Sequence, residues 1–533
     1  MFFIEVSKVA IKNLSYFPLF VCFYYGDIGV FGYGNIILVN YNGQVVMKVT
    51  KRFITIVIDS LNPTAFINCL HQNKIPAIKF LVDNGRMTLE CVSAFPTMTP
   101  VAAASIATGV LPDRHGLPGF IWYNHNQGRK INYGATVQAV VELGVYRVIQ
   151  DFLFDLNKIH LEPTLPTIFE TLEHQGISTG SINFFCFRGL TEHRVKVPLS
   201  MQLTSGFRLK GSVVGPSQLI LGKLVNKNIS PLNLLKWENK FGFNDDFTFR
   251  AAWEMLKGKR APRFLMVYFP DNDSYSHRYG PLNTETSIIK VDRYIGELLS
   301  IYGSWNKAIR ENVFLILGDH SQSSVNTGGL ALINLEILLG ELKEEIVICP
   351  NERMAYLHSS SGEIRGKELA DLLARDSRIG IIAWREGSEV SVLVGGGDGK
   401  LVFSPGTKVA DNLGSCWDYR GDLGIIGGRI EIIEKSTKII FGDYPAAFIR
   451  LASALNSLPE NTVAVSARPG HEFFCKDAPV HVGGGSHGSL HQNDSLVPLV
   501  ISGSDLWPAV PTIFSLKELW CRHFGLIPPT QGN

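Results

Sequence analysis

Two kinds of hydrophobic run alternate along the chain. Phe53–Asp59 reads FITIVID, a short apolar, β-branched run that ends in an acid. A strand buried on both faces has that look, and such strands belong to parallel sheets. A helical segment is predicted from about Pro63 to Asn84, closed by Gly85, and residues 87–93 predict a second strand. Thr99-Pro100 then opens an alanine-rich helix ending at Gly109, with Thr99 as N-cap, proline in the first turn and glycine just past the end. Further strands are predicted at 177–182, 264–269, 313–317 and 497–501, with helices near 165–175 and 285–300 between them. Strands alternating with helices make an α/β layered domain around a largely parallel sheet. Residues 376–441 break this rhythm. They are glycine-rich with short alternating runs, SEVSVLVGGGDGKLVF and GGRIEIIEKSTKIIF, and predict a β-rich insertion. The expected organisation is an N-terminal extension at 1–46 that need not belong to the fold and a catalytic core at 47–375 with an irregular cap at 186–247. The insertion at 376–441 follows, and 442–533 returns to the core.

Composition narrows the class. Of 533 residues, 45% are hydrophobic and 18% charged, which excludes a disordered chain. Fifty basic residues against 48 acidic leave a net charge of +2, so no basic surplus argues for a nucleic-acid polymer as partner. The eight cysteines are far apart, with no CxxC pair, and read as free thiols. The apolar run Leu14–Tyr25 is too short to span a bilayer and is interrupted by Pro18. The expectation is a cytoplasmic protein with no transmembrane anchor. Export is the alternative, if that run acts as a signal behind Lys8 and Lys12. Met47 stands just before the first strong strand and is a second candidate start.

Chemistry gathers at the carboxyl ends of the predicted strands. Asp59 ends the first. Asp273 and His277 follow the strand at 264–269, Asp319-His320 ends the one at 313–317, and His487 lies in a Gly-Gly-Gly-Ser-His-Gly loop before the last. Ligand crevices of open α/β sheets lie beyond these strand ends. Six such oxygen and nitrogen donors suit two divalent ions, with zinc the first choice for a mixed His/Asp set. Thr97, in Phe-Pro-Thr-Met-Thr-Pro, falls just before the alanine-rich helix, whose amino end favours an anion. It is the candidate nucleophile.

These motifs together resemble the alkaline phosphatase superfamily, and within it the type I phosphodiesterase/nucleotide pyrophosphatase group. The ordered set is Asp59, Phe-Pro-Thr97-x-Thr with Thr-Gly109, Pro-x-x-His115-Gly, Asp273-x-x-x-His277-x-x-Gly-Pro, Gly-Asp319-His320 and Ser-His487-Gly. The resemblance implies an alkaline-phosphatase-like three-layer α/β/α sandwich. It implies one zinc held by Asp273, His277 and His487, and another held by Asp59, Asp319, His320 and the Thr97 oxygen. It further implies phosphoester hydrolysis through a phosphothreonine. The chain departs from the group's Pro-Asn-His, having Pro100-Val101-Ala102, and Phe120 stands near an expected asparagine. Asn183 is then a candidate amide donor and Arg188 a candidate phosphate clamp, while Phe120 and Trp122 would suit the second ester group of a diester. A sulfatase would need Cys or Ser in its motif, and a cofactor-independent phosphoglycerate mutase would use Ser. The expected activity is therefore a phosphodiesterase on a small-molecule phosphoester. A phosphomonoesterase, a phosphonoacetate-type hydrolase and a metal-binding protein without turnover are the alternatives.

Overall fold

The computed structural model describes residues 21–25, 28–33, 36–41, 44–134, 143–197, 202, 211–225, 240–360, 362–433, 436–475 and 478–527. Its central sheet has seven strands, in the order Gln218–Ile220, Thr179–Ile182, Phe264–Phe269, Arg52–Ile58, Asn312–Gly318, Leu496–Ser502, Gly85–Val92. The first five pair in parallel. Leu496–Ser502 runs antiparallel to both its neighbours. The apolar runs explain this sheet directly. Phe53 and Val57 point into one core, whereas Ile54, Ile56 and Ile58 point into the other. Phe264, Met266 and Tyr268 oppose Leu265, Val267 and Phe269 in the same way. Helices Thr99–Thr108 and Leu516–His523 cover the first face, and Pro63–His71 and Glu285–Ser300 cover the second. The result is a three-layer α/β/α arrangement. Each fully buried aliphatic side chain in it contributes about 1.5–3 kcal/mol of burial free energy.

The second sheet is wider than the predicted insertion. It has nine strands, and those within 376–441 are joined by Ile346–Asn351, Met354–Ser359 and Val463–Ala467. The added strands are almost wholly buried, so they lack the alternation that marks the insertion. Of the predicted cap, 198–201, 203–210 and 226–239 lie outside the described residues. The remainder holds a hairpin, Thr191–Arg194 with Ser212–Gly215, and an edge strand of the central sheet, Gln218–Ile220. Residues 1–20, including most of the N-terminal apolar run, also lie outside the described residues. Val21–Tyr25, Ile28–Tyr33, Ile36–Tyr41 and Gln44–Val49 form a four-stranded antiparallel sheet of their own. Among the described residues no helix is long and apolar enough to cross a membrane.

Two local expectations change. The helix predicted over 63–84 is two helices, Pro63–His71 and Pro76–Asp83. Asn73 sits at φ 54°, and Pro76 pushes Ile75 out of helical geometry, to φ −125° and ψ 69°. Gly85 does not close the second helix but opens the Gly85–Val92 strand; a Cβ there would lie 2.2 Å from the Ile501 carbonyl oxygen. At the alanine-rich helix the N-cap is Met98, which makes no side-chain cap bond, and Thr99 is the first helical residue. Its end is as expected, with Gly109 left-handed at φ 76°.

Candidate metal centre

Three neighbouring parallel strands deliver the acids. Arg52–Ile58 runs out into Asp59 and Ser60, and Asn312–Gly318 into Asp319 and His320. Phe264–Phe269 leads into the helix Asp271–Tyr279. Asp273 and His277 lie four residues apart on that helix and so share a face. His487 arrives from the glycine-rich loop, which lies directly on the same helix. A Cβ at Gly484 would stand 1.9 Å from the His277 carbonyl oxygen. We expect Gly484→Ala to displace this contact and weaken metal binding at least tenfold in a chelator titration, on the order of the loss of an outer-shell partner.

The six predicted donors converge. Asp273, His277 and His487 offer ligand atoms within 4.8 Å of one another, as do Asp59, Asp273 and His320. His277 Nε2 is 3.2 Å from Asp273 Oδ1, and His487 Nε2 is 3.6 Å from it. His320 Nε2 is 3.6 Å from Asp59 Oδ1 and 3.8 Å from Asp319 Oδ2. Two ligands on one tetrahedral zinc, each bonded at about 2.0–2.1 Å, stand roughly 3.3 Å apart. The three histidines are also turned the right way. Their Nδ1 atoms face Gly485 O at 2.8 Å, Thr97 O at 2.8 Å and Ser321 O at 3.2 Å. A carbonyl can only accept, so each Nδ1 carries a proton and each Nε2 is directed at the acids. Metal-bound histidines are oriented by the same kind of outer bond. Asp59 Oδ1 is buried with no hydrogen-bond partner. The donor set thus fits a pair of divalent ions.

The electrostatics show what cations would relieve. Burial, then Asp319 and Asp273, push Asp59 well above the usual carboxylate range. Burial also raises Asp319, against the pull of His320 and the Ser60 N–H. Burial alone would raise Asp273, but His277, His487 and His320 hold it well below its ordinary value. Burial opposes the charge on His277, yet Asp273 and Glu352 outweigh it and lift the ring to about 10. Burial lowers His487 to about 4. In metal-free protein the protonated His277 therefore contributes stability that is complete below about 6.5 and is lost as pH rises through about 10. An incoming ion must displace that proton. Zinc should raise Tm more at pH 8 than at pH 6 and release protons on binding at pH 7. Calorimetry in buffers of different ionisation enthalpy measures both; an unchanged Tm would contradict the fit.

The two threonines are placed differently from the expectation. Thr97 Oγ donates to Ser489 O at 3.0 Å and accepts from Gly488 N at 2.9 Å. Its carbonyl holds the His487 ring. Thr97 thus clamps the histidine loop, and its hydroxyl is committed to that loop's backbone. Thr99, expected to be the helix cap, instead points its hydroxyl at His320 Nε2, 3.1 Å away. The helix starts one residue earlier than a Thr99 cap requires, at Thr99 itself, which places the Thr99 hydroxyl against His320.

Three predicted substrate contacts are employed elsewhere. Arg188 Nε donates to both Glu170 oxygens at 3.2 Å, and its other nitrogens reach the carbonyls of Leu161, Glu162 and Leu165. No donor is left to clamp a phosphate. Asn183, left-handed at φ 56°, bonds Gly242 O, Thr248 Oγ and Gly222 N. Trp122 is buried in the main core, edge-on to His160. Phe120 is half-buried, and its N–H donates to Asn351 Oδ1 at 2.7 Å, which ties it to the turn beside the centre. Asp271 pairs with Asp245 and Lys290, and His115 bonds Ser105 and Leu117 within the fold.

Two residues at the centre carried no sequence signal. Ser60, left-handed at φ 54°, donates its hydroxyl to Asp273 Oδ1 at 2.7 Å and its N–H to Asp319 Oδ1 at 3.1 Å. It thereby ties a carboxylate on the Asp271–Tyr279 helix to one just past the Asn312–Gly318 strand. Glu352, from the hairpin turn between Ile346–Asn351 and Met354–Ser359, places Oε1 3.5 Å from His487 Nε2 and 3.8 Å from His277 Nε2. Burial opposes its charge, but His487, His277 and His481 hold it down to about 2.

Known proteins share this architecture. The murine ectonucleotide pyrophosphatase/phosphodiesterase 5 superposes with a TM-score of 0.55 at 14% identity, over 91% of this chain and 98% of that one. An inactive threonine-to-alanine variant of the murine protein, in complex with AMP, gives 0.55 at 13%, over 91% and 97%. The human protein gives 0.54 at 13%, over 91% and 97%. No curated protein sequence matches this chain. A family model, type I phosphodiesterase / nucleotide pyrophosphatase, matches residues 53–372, which takes in Asp59, Asp273, His277, Asp319 and His320. With more than half of its length matched in this way, the chain belongs to the type I phosphodiesterase/nucleotide pyrophosphatase family, a family of metal-dependent phosphoester hydrolases.

Proposed function

We propose that the protein hydrolyses small-molecule phosphodiesters with Thr99 as nucleophile and two divalent ions, zinc the first choice, as cofactors. Asp273, His277 and His487 would hold one ion, and Asp59, Asp319 and His320 the other. The observation that carries this reading is the Thr99 hydroxyl, 3.1 Å from His320 Nε2 at the edge of the acid cluster. Bound there, the ions would supply Lewis acidity, favouring the threonine alkoxide and neutralising charge on the phosphoryl and leaving oxygens. Thr99 Oγ gives up its proton to solvent and forms a bond to phosphorus as the bond to one ester oxygen breaks, and that oxygen leaves with a proton from solvent. The remaining phosphothreonine ester is then hydrolysed by water, which returns the proton to the Thr99 hydroxyl. Ser60 holds Asp273 and Asp319 in register throughout, and Thr97 holds His487. Thr99 is preferred to Thr97 because the Thr97 hydroxyl already has backbone partners on both sides.

A diester is preferred to a monoester because a dianion asks for an extra cation near the nucleophile. The residues after Thr99 are Pro, Val and Ala, and the Arg188 guanidinium is spent on Glu170 and carbonyls. The murine relative in complex with AMP makes nucleotide esters a natural first panel. We expect zinc-loaded protein to have a kcat/KM at least tenfold higher for an aryl phosphodiester than for the matched monoester. A monoester preference would make it a phosphatase of the same superfamily.

A further inference from the structure

We propose that Glu352 is a fourth protein ligand of the ion held by Asp273, His277 and His487, a carboxylate brought in from the second sheet. The inference rests on the two-ion reading above and adds a residue to it. Glu352 is 7% exposed and adopts a φ of 59°, a left-handed conformation that a residue with a side chain rarely takes. Its surroundings impose that turn. The Arg353 N–H donates to His487 O at 2.8 Å, and the Phe473 N–H donates to Glu352 O at 2.8 Å. The buried Arg353–Asp494 pair, at 3.0 Å, ties the turn to the loop that follows His487. Gly488 packs against the turn so closely that a Cβ would lie 2.3 Å from Asn351 O.

The carboxylate is aimed as well as buried. Its Oε2 accepts from Ser486 Oγ at 2.9 Å and from the His487 N–H at 3.1 Å. Oε1 is left facing the two Nε2 atoms of His487 and His277, at 3.5 and 3.8 Å. The Nδ1 atom of each ring is committed as a donor to a carbonyl, so in the neutral tautomer each Nε2 presents a lone pair. Glu352 Oε1, Asp273 Oδ1 and the two Nε2 atoms are then four electron-pair donors facing one another. Such a set repels itself unless a proton or a metal ion lies within it, and only an ion can engage all four. Two carboxylates would also match the charge of this ion, as Asp59 and Asp319 match the other. His481 lies alongside, stacked on His277 at 4.1 Å, but its Nδ1 is directed to Glu472 at 3.1 Å. His277 has a single Nε2 to give, so a third ion through His277 and His481 would compete with this one.

The test is a zinc titration against a competing chelator, on wild type and on Glu352→Gln, with circular dichroism to check the fold. Wild type should take two ions. In Glu352→Gln the affinity for one should fall more than about 100-fold, beyond the roughly 10–100-fold loss typical of an outer-shell partner, while the other is unchanged. A smaller loss overturns the ligand role but leaves the two-ion reading standing. Wild type binding no zinc overturns both. Anomalous scattering from zinc-loaded wild-type crystals decides the matter without a variant. A Glu352 oxygen at bonding distance, about 2.0–2.2 Å, supports the proposal, and an ion held only by the other three residues refutes it.

Discussion

Thr99→Ala is expected to lower kcat/KM for an aryl phosphodiester by roughly 10⁴–10⁶-fold, the range in which loss of a nucleophile falls. The variant should keep both ions and its Tm within a few degrees, because Thr99 contributes one neutral oxygen to a centre built from six charged or imidazole groups. Thr97→Ala should behave in the opposite way. Its hydroxyl makes two hydrogen bonds to the Gly488–Ser489 backbone, worth about 1 kcal/mol each, and its loss loosens the loop that carries His487. Stability should fall by about 1–3 kcal/mol and activity far less than in Thr99→Ala. Denaturant unfolding and steady-state rates on the two variants separate the roles. If Thr97→Ala is the inactive variant and Thr99→Ala the active one, the assignment is reversed.

Asp319→Ala should abolish turnover by removing one ion. The Asp319 side chain is fully buried and accepts from the Ser60 N–H, the His320 N–H and the Tyr268 hydroxyl. Alanine therefore deletes a ligand, a negative charge and the acceptor for three donors, each of which costs about 1–3 kcal/mol when left unsatisfied. Asp319→Asn is the control. It keeps an acceptor in place and loses the charge, so it should fold nearly as well as wild type and still bind one ion in place of two. Elemental analysis after zinc loading gives the count. Two ions retained in Asp319→Asn would remove Asp319 from the centre.

Much of this was legible in the sequence because strand ends carry chemistry in a parallel sheet. FITIVID predicts a strand buried on both faces and puts Asp59 at its carboxyl end; the same logic places Asp319 and His320. Asp273 and His277 were legible by spacing, since four residues bring them to one helix face. The Thr97 and Thr99 placements were not legible, because they turn on whether the helix begins at position 99 or 100, a one-residue difference that rotates each side chain into a different environment. Arg188 and Asn183 have the right chemistry for phosphate, but burial commits their polar atoms to carbonyls and a neighbouring carboxylate, and only the folded chain reveals those partners. Glu352 sits in a hairpin turn where an acid ordinarily faces water. Its place at the centre depends on how the second sheet docks against the His487 loop, a contact spanning 135 residues of sequence.

The central claim is a covalent intermediate on Thr99, and acid-quenched mass spectrometry tests it most directly. Zinc-loaded protein, mixed with an aryl phosphodiester and quenched within a turnover, should carry the phosphoryl group with its retained ester on Thr99, as located by fragmentation of the peptide spanning Thr97 and Thr99. Steady turnover with no adduct on Thr99, or with the adduct on Thr97, would contradict it.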